Sequence, residues 1–326
     1  AELLIETARL WHSLGHHDAQ GGFRIDGVTG PDEYSAVADN NLYTNLMAQR
    51  NLLAAAEAAE RHPDVAHALD VDEEETAAWR DAAAAVVIHY DEHLGVHCQA
   101  EGFTQHEVWD FAATKTEQYP LLLHFPYFDL YRKQVVKQAD LVLALHVCGD
   151  SFTPEQKLAD FDYYERLTVR DSSLSACTQA VVAAEVGYLG LAYAYFREAA
   201  LMDLDDLEQN VRDGVHIASL AGAWTAAVAG FGGMRDEGDS LGFKPQLPEQ
   251  LDRLAFRVRF RDATIAVEIE PSQATYRLIS GERAQVSHYG SVVQLTRDRA
   301  VVLPVTTPAK REPPSQPPGR GLQHLQ

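Results

Sequence analysis

Gly27-Val28-Thr29-Gly30-Pro31-Asp32-Glu33-Tyr34 sets two carboxyl groups directly behind a Gly-Pro turn and ahead of a long helical pattern. A carboxyl fixed on rigid backbone at the rim of an enclosed space can hand a proton to a departing oxygen, the work of a general acid. Taken alone, Asp32 and Glu33 also read as plain caps of the next helix, because acids favour its positive end. Asp39-Asn40-Asn41-Leu42-Tyr43-Thr44-Asn45 follows. Asn41 and Asn45 are i,i+4 neighbours, as are Asn40 and Thr44, and asparagine is a poor helix former. The group reads either as a hydrogen-bonding row or as a solvated face.

Other chemistry is thin. His106-Glu107-Val108-Trp109-Asp110 begins like a zinc-protease helix but lacks the second His, and His146-Val147-Cys148 has no partner at ligand spacing. Neither a GxSxG elbow nor a phosphate-binding GxxxxGK loop occurs. Neither a metal nor an organic cofactor is therefore expected. A formal charge of −21 argues against nucleic acid and anionic membrane as partners. Cys98, Cys148 and Cys177 are too scattered for a disulfide framework and fit a reducing, cytoplasmic setting. The chain opens on Ala1 in mid-helical pattern, as a processed chain or a piece of a longer one would.

The elements that must position these groups are mostly helical. Apolar spacing predicts helices over about 3–14, 36–61, 77–90, 132–147, 154–166, 174–186, 187–200 and 220–229. Residues 93–131 break the period and are crowded with aromatics, a length of irregular chain that is often functional. Gly230-Phe231-Gly232-Gly233 reads as a helix stop. From Gly238 the period becomes two, predicting strands near 255–260, 264–269, 274–279, 285–289, 292–296 and 300–305. A Pro-rich tail over 307–326 is expected to be disordered. The fold class is thus mainly α over 1–237, with an antiparallel β-sheet domain over 238–306.

The turn bearing Glu33, together with Asp39-Asn40-Asn41 and Tyr43-Thr44-Asn45, resembles the signature of glycoside hydrolase family 65. Lys137-Gln138-Ala139-Asp140, Asp171-Ser172-Ser173-Leu174-Ser175 and Gly214-Val215-His216-Ile217-Ala218-Ser219 match in the family's order. That family contains maltose, trehalose and kojibiose phosphorylases and some hydrolases. The resemblance implies that 1–237 is the second part of an (α/α)6 barrel. The family's N-terminal domain and early barrel helices have no counterpart here, so this chain by itself is expected to be catalytically silent. It also implies an inverting disaccharide phosphorylase acting on an α-glucosyl disaccharide and inorganic phosphate; a homodimeric parent is expected. The rivals are a trehalase-like hydrolase and a non-catalytic carbohydrate-binding remnant.

Residue by residue, the resemblance makes Glu33 the general acid and Lys137 and Gln138 binders of the glucose hydroxyls. Read without it, Lys137 would simply snorkel from an apolar helix. His216, Ser219 and the N–H groups at a helix start form the expected phosphate cradle, with Ser172 and Ser173 beside them in role. Asp213 is the acid nearest that loop in sequence, and none lies inside it. The plain readings are a helix cap with a buried His for the loop, and an N-cap for Asp171-Ser172-Ser173.

Overall fold

The computed structural model describes residues 1–207, 209–236, 238, 240–306 and 311–322. Contacts divide it into two compact units, 1–171 with 317–319 and 172–316 with 320–326.

In the first unit, α1 (Glu2–Leu14), α2 (Leu42–Arg61), α3 (Pro63–Ala68) and α4 (Glu73–Ala85) follow one another. Both α1 and α4 pack on α2 around Ile5, Phe23, Leu52, Ala55 and Trp79. Alanines at Ala48, Ala55, Ala82 and Ala83 let the backbones approach closely. Helix α2 begins at Leu42 and not near 36. Asn40 sits at φ +48, outside helical space, and Asn41 caps the helix by accepting from the Thr44 N–H at 2.9 Å. The acidic run before α4 is a helix start: Asp72 accepts from the Glu75 N–H at 2.8 Å.

The aromatic stretch 93–131 is irregular, as its lost periodicity predicts, holding short 3₁₀ turns and the single-turn α5 (Tyr127–Leu130). The helix expected over 132–147 is a correction. Only α6 (Leu141–Val147) forms there. Lys133–Gln134 pairs in parallel with Glu107–Val108, and Val136 exchanges backbone hydrogen bonds with Leu167 and Val169. Val135 and Val136 are both fully buried. Consecutive buried β-branched residues suit extended backbone covered on two faces better than a helix. Lys137 and Gln138 therefore lie on an extended crossing segment, not within a helix. Helix α7 (Pro154–Glu165) completes this unit with a capping box between Thr153 and Gln156.

The second unit holds α8 (Ser175–Glu185), α9 (Leu189–Leu201) and α10 (Ile217–Thr225), with a π-helical turn over Ala226–Phe231 continuing α10. Helix α10 starts three residues earlier than its period predicts. The glycines after it still act as the stop, Gly233 taking φ +59.

Among the described residues, eight strands follow: β1 (Arg235–Asp236), β2 (Leu241–Phe243), β3 (Leu254–Phe260), β4 (Ala263–Ile269), β5 (Gln273–Ser280), β6 (Arg283–His288), β7 (Ser291–Thr296) and β8 (Val301–Pro304). They form two four-stranded sheets, ordered β8-β5-β4-β3 and β7-β6-β2-β1. Ile265, Val267, Ile269, Tyr276, Val286 and Leu295 fill the core they share. The wholly antiparallel expectation needs one correction: β2 and β6 pair in parallel, Leu241 opposite Val286. The chain passes through the other sheet between them, which supplies the long crossover that a parallel pair requires. Of the Pro-rich tail, 307–310 and 323–326 lie outside the described residues. Residues 311–322 carry no helix or strand, and Leu322 is buried.

Candidate active site

Asp32 is the hub of the turn that carries Glu33. Its side chain is fully buried, and its bonds both brace the turn itself and tie it to other segments. Oδ1 accepts the Lys137 N–H at 2.7 Å and the Tyr34 N–H at 3.2 Å; Oδ2 accepts from Gln99 Nε2 at 2.9 Å and Ser35 Oγ at 3.0 Å. The Asp32 N–H donates to Asp140 Oδ2 at 3.0 Å. Asp140 is itself buried and accepts from Asn41 Nδ2 at 3.2 and 3.3 Å. Gly30 leaves no room for a side chain: a Cβ there would lie 2.5 Å from both Asn41 Nδ2 and Asp140 Oδ2.

Two buried carboxyls so close, met only by neutral donors, resist ionisation. Desolvation pushes Asp32 up to about 6. Desolvation, and then the charge of Asp32, push Asp140 up to about 7. Tyr34, also fully buried, donates its hydroxyl to Asp171 Oδ2 at 2.8 Å, and burial drives its phenol far above the usual range. Asp171 Oδ2 also accepts the Leu121 N–H at 2.9 Å. It is thus no helix cap: the residue before α8 is Leu174, with no side-chain cap bond.

Glu33, between the buried Asp32 and Tyr34, points out. Its side chain is 55% exposed, and its Oε2 meets the ammonium of Lys137, which is 15% exposed. The fold thus brings two of the expected residues together across more than a hundred positions of chain. Gln138, next to Lys137, is half-buried. The asparagines that read either as a polar row or as a solvated face are buried locks. Asn40 Nδ2 donates to Glu101 at 2.9 Å, Asn45 Nδ2 to the Val87 carbonyl at 2.7 Å, and Asn41 bridges to Asp140.

In the second unit, His216 is the residue before α10. Its Nδ1 lies 2.6 Å from Asp203 Oδ1, and its N–H donates to Asp203 Oδ2 at 2.9 Å. The carboxylate against His216 is thus Asp203, at the end of α9, while Asp213, nearer in sequence, is exposed beside Arg212. His216 holds Asp203 below the usual carboxylate range by hydrogen bonding. Ser219 is buried in the first turn of α10, and its hydroxyl donates to the Ala199 carbonyl at 3.1 Å. Ser172 and Ser173 are half-buried just ahead of α8, where Ser172 Oγ accepts the Leu174 N–H at 3.3 Å. Sequence reading missed Gln99, the bridging of Asp140 and the pairing of Asp203. Only the place of Asp140 beside Lys137 and Gln138 marked it.

Comparison with known proteins bears on both units. Residues 1–225 match the model of the glycosyl hydrolase family 65 central catalytic domain, and 234–295 that of the family's C-terminal domain. An uncharacterised glycosyl hydrolase of Mycobacterium tuberculosis is 56% identical over 99% of this chain and 41% of its own length. An α,α-trehalose phosphorylase of Geobacillus stearothermophilus is 42% identical over 93% of this chain and 40% of its own. A solved structure assigned as a kojibiose phosphorylase from the human microbiome superposes with a TM-score of 0.84 at 26% identity, over 93% of this chain and 43% of that one. The chain spans about two fifths of the length of these relatives. Through its catalytic and C-terminal domains, it belongs to glycoside hydrolase family 65.

Proposed function

We propose that this chain carries the acid step and the phosphate cradle of an inverting disaccharide phosphorylase, with its helices forming the second part of an (α/α)6 barrel. In this reading the barrel portion runs over 1–237, the β domain over 238–306 and the tail over 307–326. Glu33 protonates the glycosidic oxygen as its bond to C1 breaks, while a phosphate oxygen bonds to C1 from the opposite face. The products are β-glucose 1-phosphate and a free sugar. The observation that carries the reading is the exposed Glu33 carboxyl, held between the buried, hydrogen-bonded Asp32 and Tyr34, with Lys137 beside it.

A proton donor must be neutral, so the Glu33–Lys137 pair has to open. With the Glu33 carboxylate open to water, such a pair is worth little, about 0–1 kcal/mol. Sugar hydroxyls that draw the Lys137 ammonium and the Gln138 amide release the carboxyl to the leaving oxygen. His216 and the first-turn N–H groups of α10, Ser219 among them, are the proposed phosphate donors, with Ser172 and Ser173 secondary. Asp203 binds His216 through both its oxygens and so fixes the ring in place.

The test is phosphate dependence. The protein at its full natural length is incubated with trehalose, maltose, kojibiose or nigerose, with and without phosphate. Trehalose is the first candidate, given the phosphorylase relative at 42% identity. β-Glucose 1-phosphate from one of the four is expected; glucose released at the same rate without phosphate would make the protein a hydrolase.

A further inference from the structure

We propose that Asp140 is a positioning residue for the acid step, holding the turn of Glu33 in register with Lys137 through a reciprocal clamp with Asp32. The proposal rests on the reading of Glu33 as general acid. Two segments more than a hundred residues apart meet here, and each sends a buried aspartate to bind a backbone N–H of the other's. Asp32 accepts the Lys137 N–H at 2.7 Å, and Asp140 accepts the Asp32 N–H at 3.0 Å. The residues locked are the immediate neighbour of Glu33 and the residue paired with its side chain. Neither aspartate reaches the surface, so neither is placed to touch a sugar.

A third contact sets the clamp against a helix. Asn41 donates to Asp140, and as N-cap it is fixed to the start of α2 by the Thr44 N–H. The acid turn is therefore referenced to a rigid element as well as to Gln99 of the irregular stretch. A misplaced acid loses rate steeply, because proton transfer needs donor and acceptor within hydrogen-bond reach in the transition state.

An acid-positioning defect has a signature that loose folding lacks. When the C1–O bond of a disaccharide breaks, the leaving oxygen keeps the electron pair and takes the proton of Glu33. When the C1–F bond of α-glucosyl fluoride breaks, fluoride leaves with the pair and needs no proton, while phosphate attacks C1 in both cases. Asp140→Asn in the full-length protein is expected to lower kcat on the disaccharide at least tenfold, with its KM within threefold. Phosphorolysis of α-glucosyl fluoride is expected to stay within threefold of the unsubstituted protein.

Glu33→Gln is assayed beside it. If that variant keeps its rate on the disaccharide, the acid reading fails and this inference with it. If it shows the selective loss while Asp140→Asn behaves as wild type on both substrates, the clamp alone is overturned. Equal losses on both substrates would make Asp140 merely structural. Should Asp140→Asn not fold, Asn41→Ser keeps the cap and removes the amide from Asp140. It must then show the selective loss, and its absence overturns the proposal.

Discussion

Glu33 sits where protein on one side and water on the other make it replaceable without harm to packing. Glu33→Gln should lower the phosphorolysis rate about 100- to 10,000-fold, the usual share of general acid catalysis. Stability should move by no more than about 0.5 kcal/mol, as for other surface changes. Initial rates and a thermal melt check both, and more than a tenth of the rate retained would move the acid elsewhere. The buried pair behind it predicts the pH dependence of stability. Asp32 and Asp140 are pushed up to about 6 and about 7, so the native state binds protons that the unfolded chain releases near pH 4. Their contribution is full below about pH 4 and is lost as pH rises through about 7, by on the order of a few kcal/mol. Lys137, Tyr34 and Tyr43 are the other titratable groups near the pair, and both phenols are raised and neutral in this range. Asp140→Asn should flatten the fall in Tm between pH 5 and pH 8; an unchanged slope would show that the pair does not titrate there. Glu33 and Lys137 were legible from their motifs. The partnership of Asp32 with Asp140, 108 residues away, was not, because no local pattern encodes which buried acid will meet which N–H.

At the scale of elements, the α9–α10 corner separates two kinds of contact. His216 presents its ring beside Asp203, whereas the Ser219 hydroxyl is spent on the Ala199 carbonyl. His216→Ala should raise the KM for phosphate about 10- to 100-fold, the worth of one hydrogen bond to a charged group. The disaccharide KM should stay within about twofold, and equal rises in both constants would make the loop structural. Ser219→Ala should instead lower stability by about 1–3 kcal/mol, since it removes the donor from a buried carbonyl. At Gly222 α10 runs close against α8: a Cβ there would stand 2.5 Å from Cys177 Cβ. Gly222→Val should cost about 1–3 kcal/mol by overpacking, and a melt at or above that of the unsubstituted protein would deny the contact. Periodic helices such as α7 and α9 were readable within two residues, and α2 at its C-terminal end only. The segment through Lys137 was not, because its apolar run fits a buried extended crossing as well as a helix. Its valines decided between them, once neighbours at 107–108 and 167–169 supplied pairing.

For the whole molecule, the change from a period near 3.6 to a period of two was the clearest signal, and the two-sheet domain follows it. Its parallel β2–β6 pair stayed invisible, since alternation fixes which residues face inward but not which strands are neighbours. The contact division at 171/172 falls inside the helical part, where no change of composition marks it. The two-sheet domain has a core of its own. Phe243, Ile265, Val267, Ile269, Tyr276, Val286 and Leu295 bury one another between the sheets. Tyr276 and His288 satisfy each other's polar atoms at 2.8 Å, and the other His288 nitrogen lies 2.9 Å from the Pro304 carbonyl. Residues 234–306 expressed alone should therefore fold, with cooperative urea unfolding and dispersed backbone amide resonances. A domain of this size buries only about 60% of its unfolded surface, so stability should be low, about 3–5 kcal/mol. Phe256 sets the main liability. It lies against Gly232, where a Cβ would be 3.2 Å from its ring, and loses that cover when the preceding residues are removed. Phe256→Thr should then improve the solubility of the isolated domain while weakening the intact chain. A dye-binding, non-cooperative product from 234–306 would show instead that the sandwich depends on the helices before it.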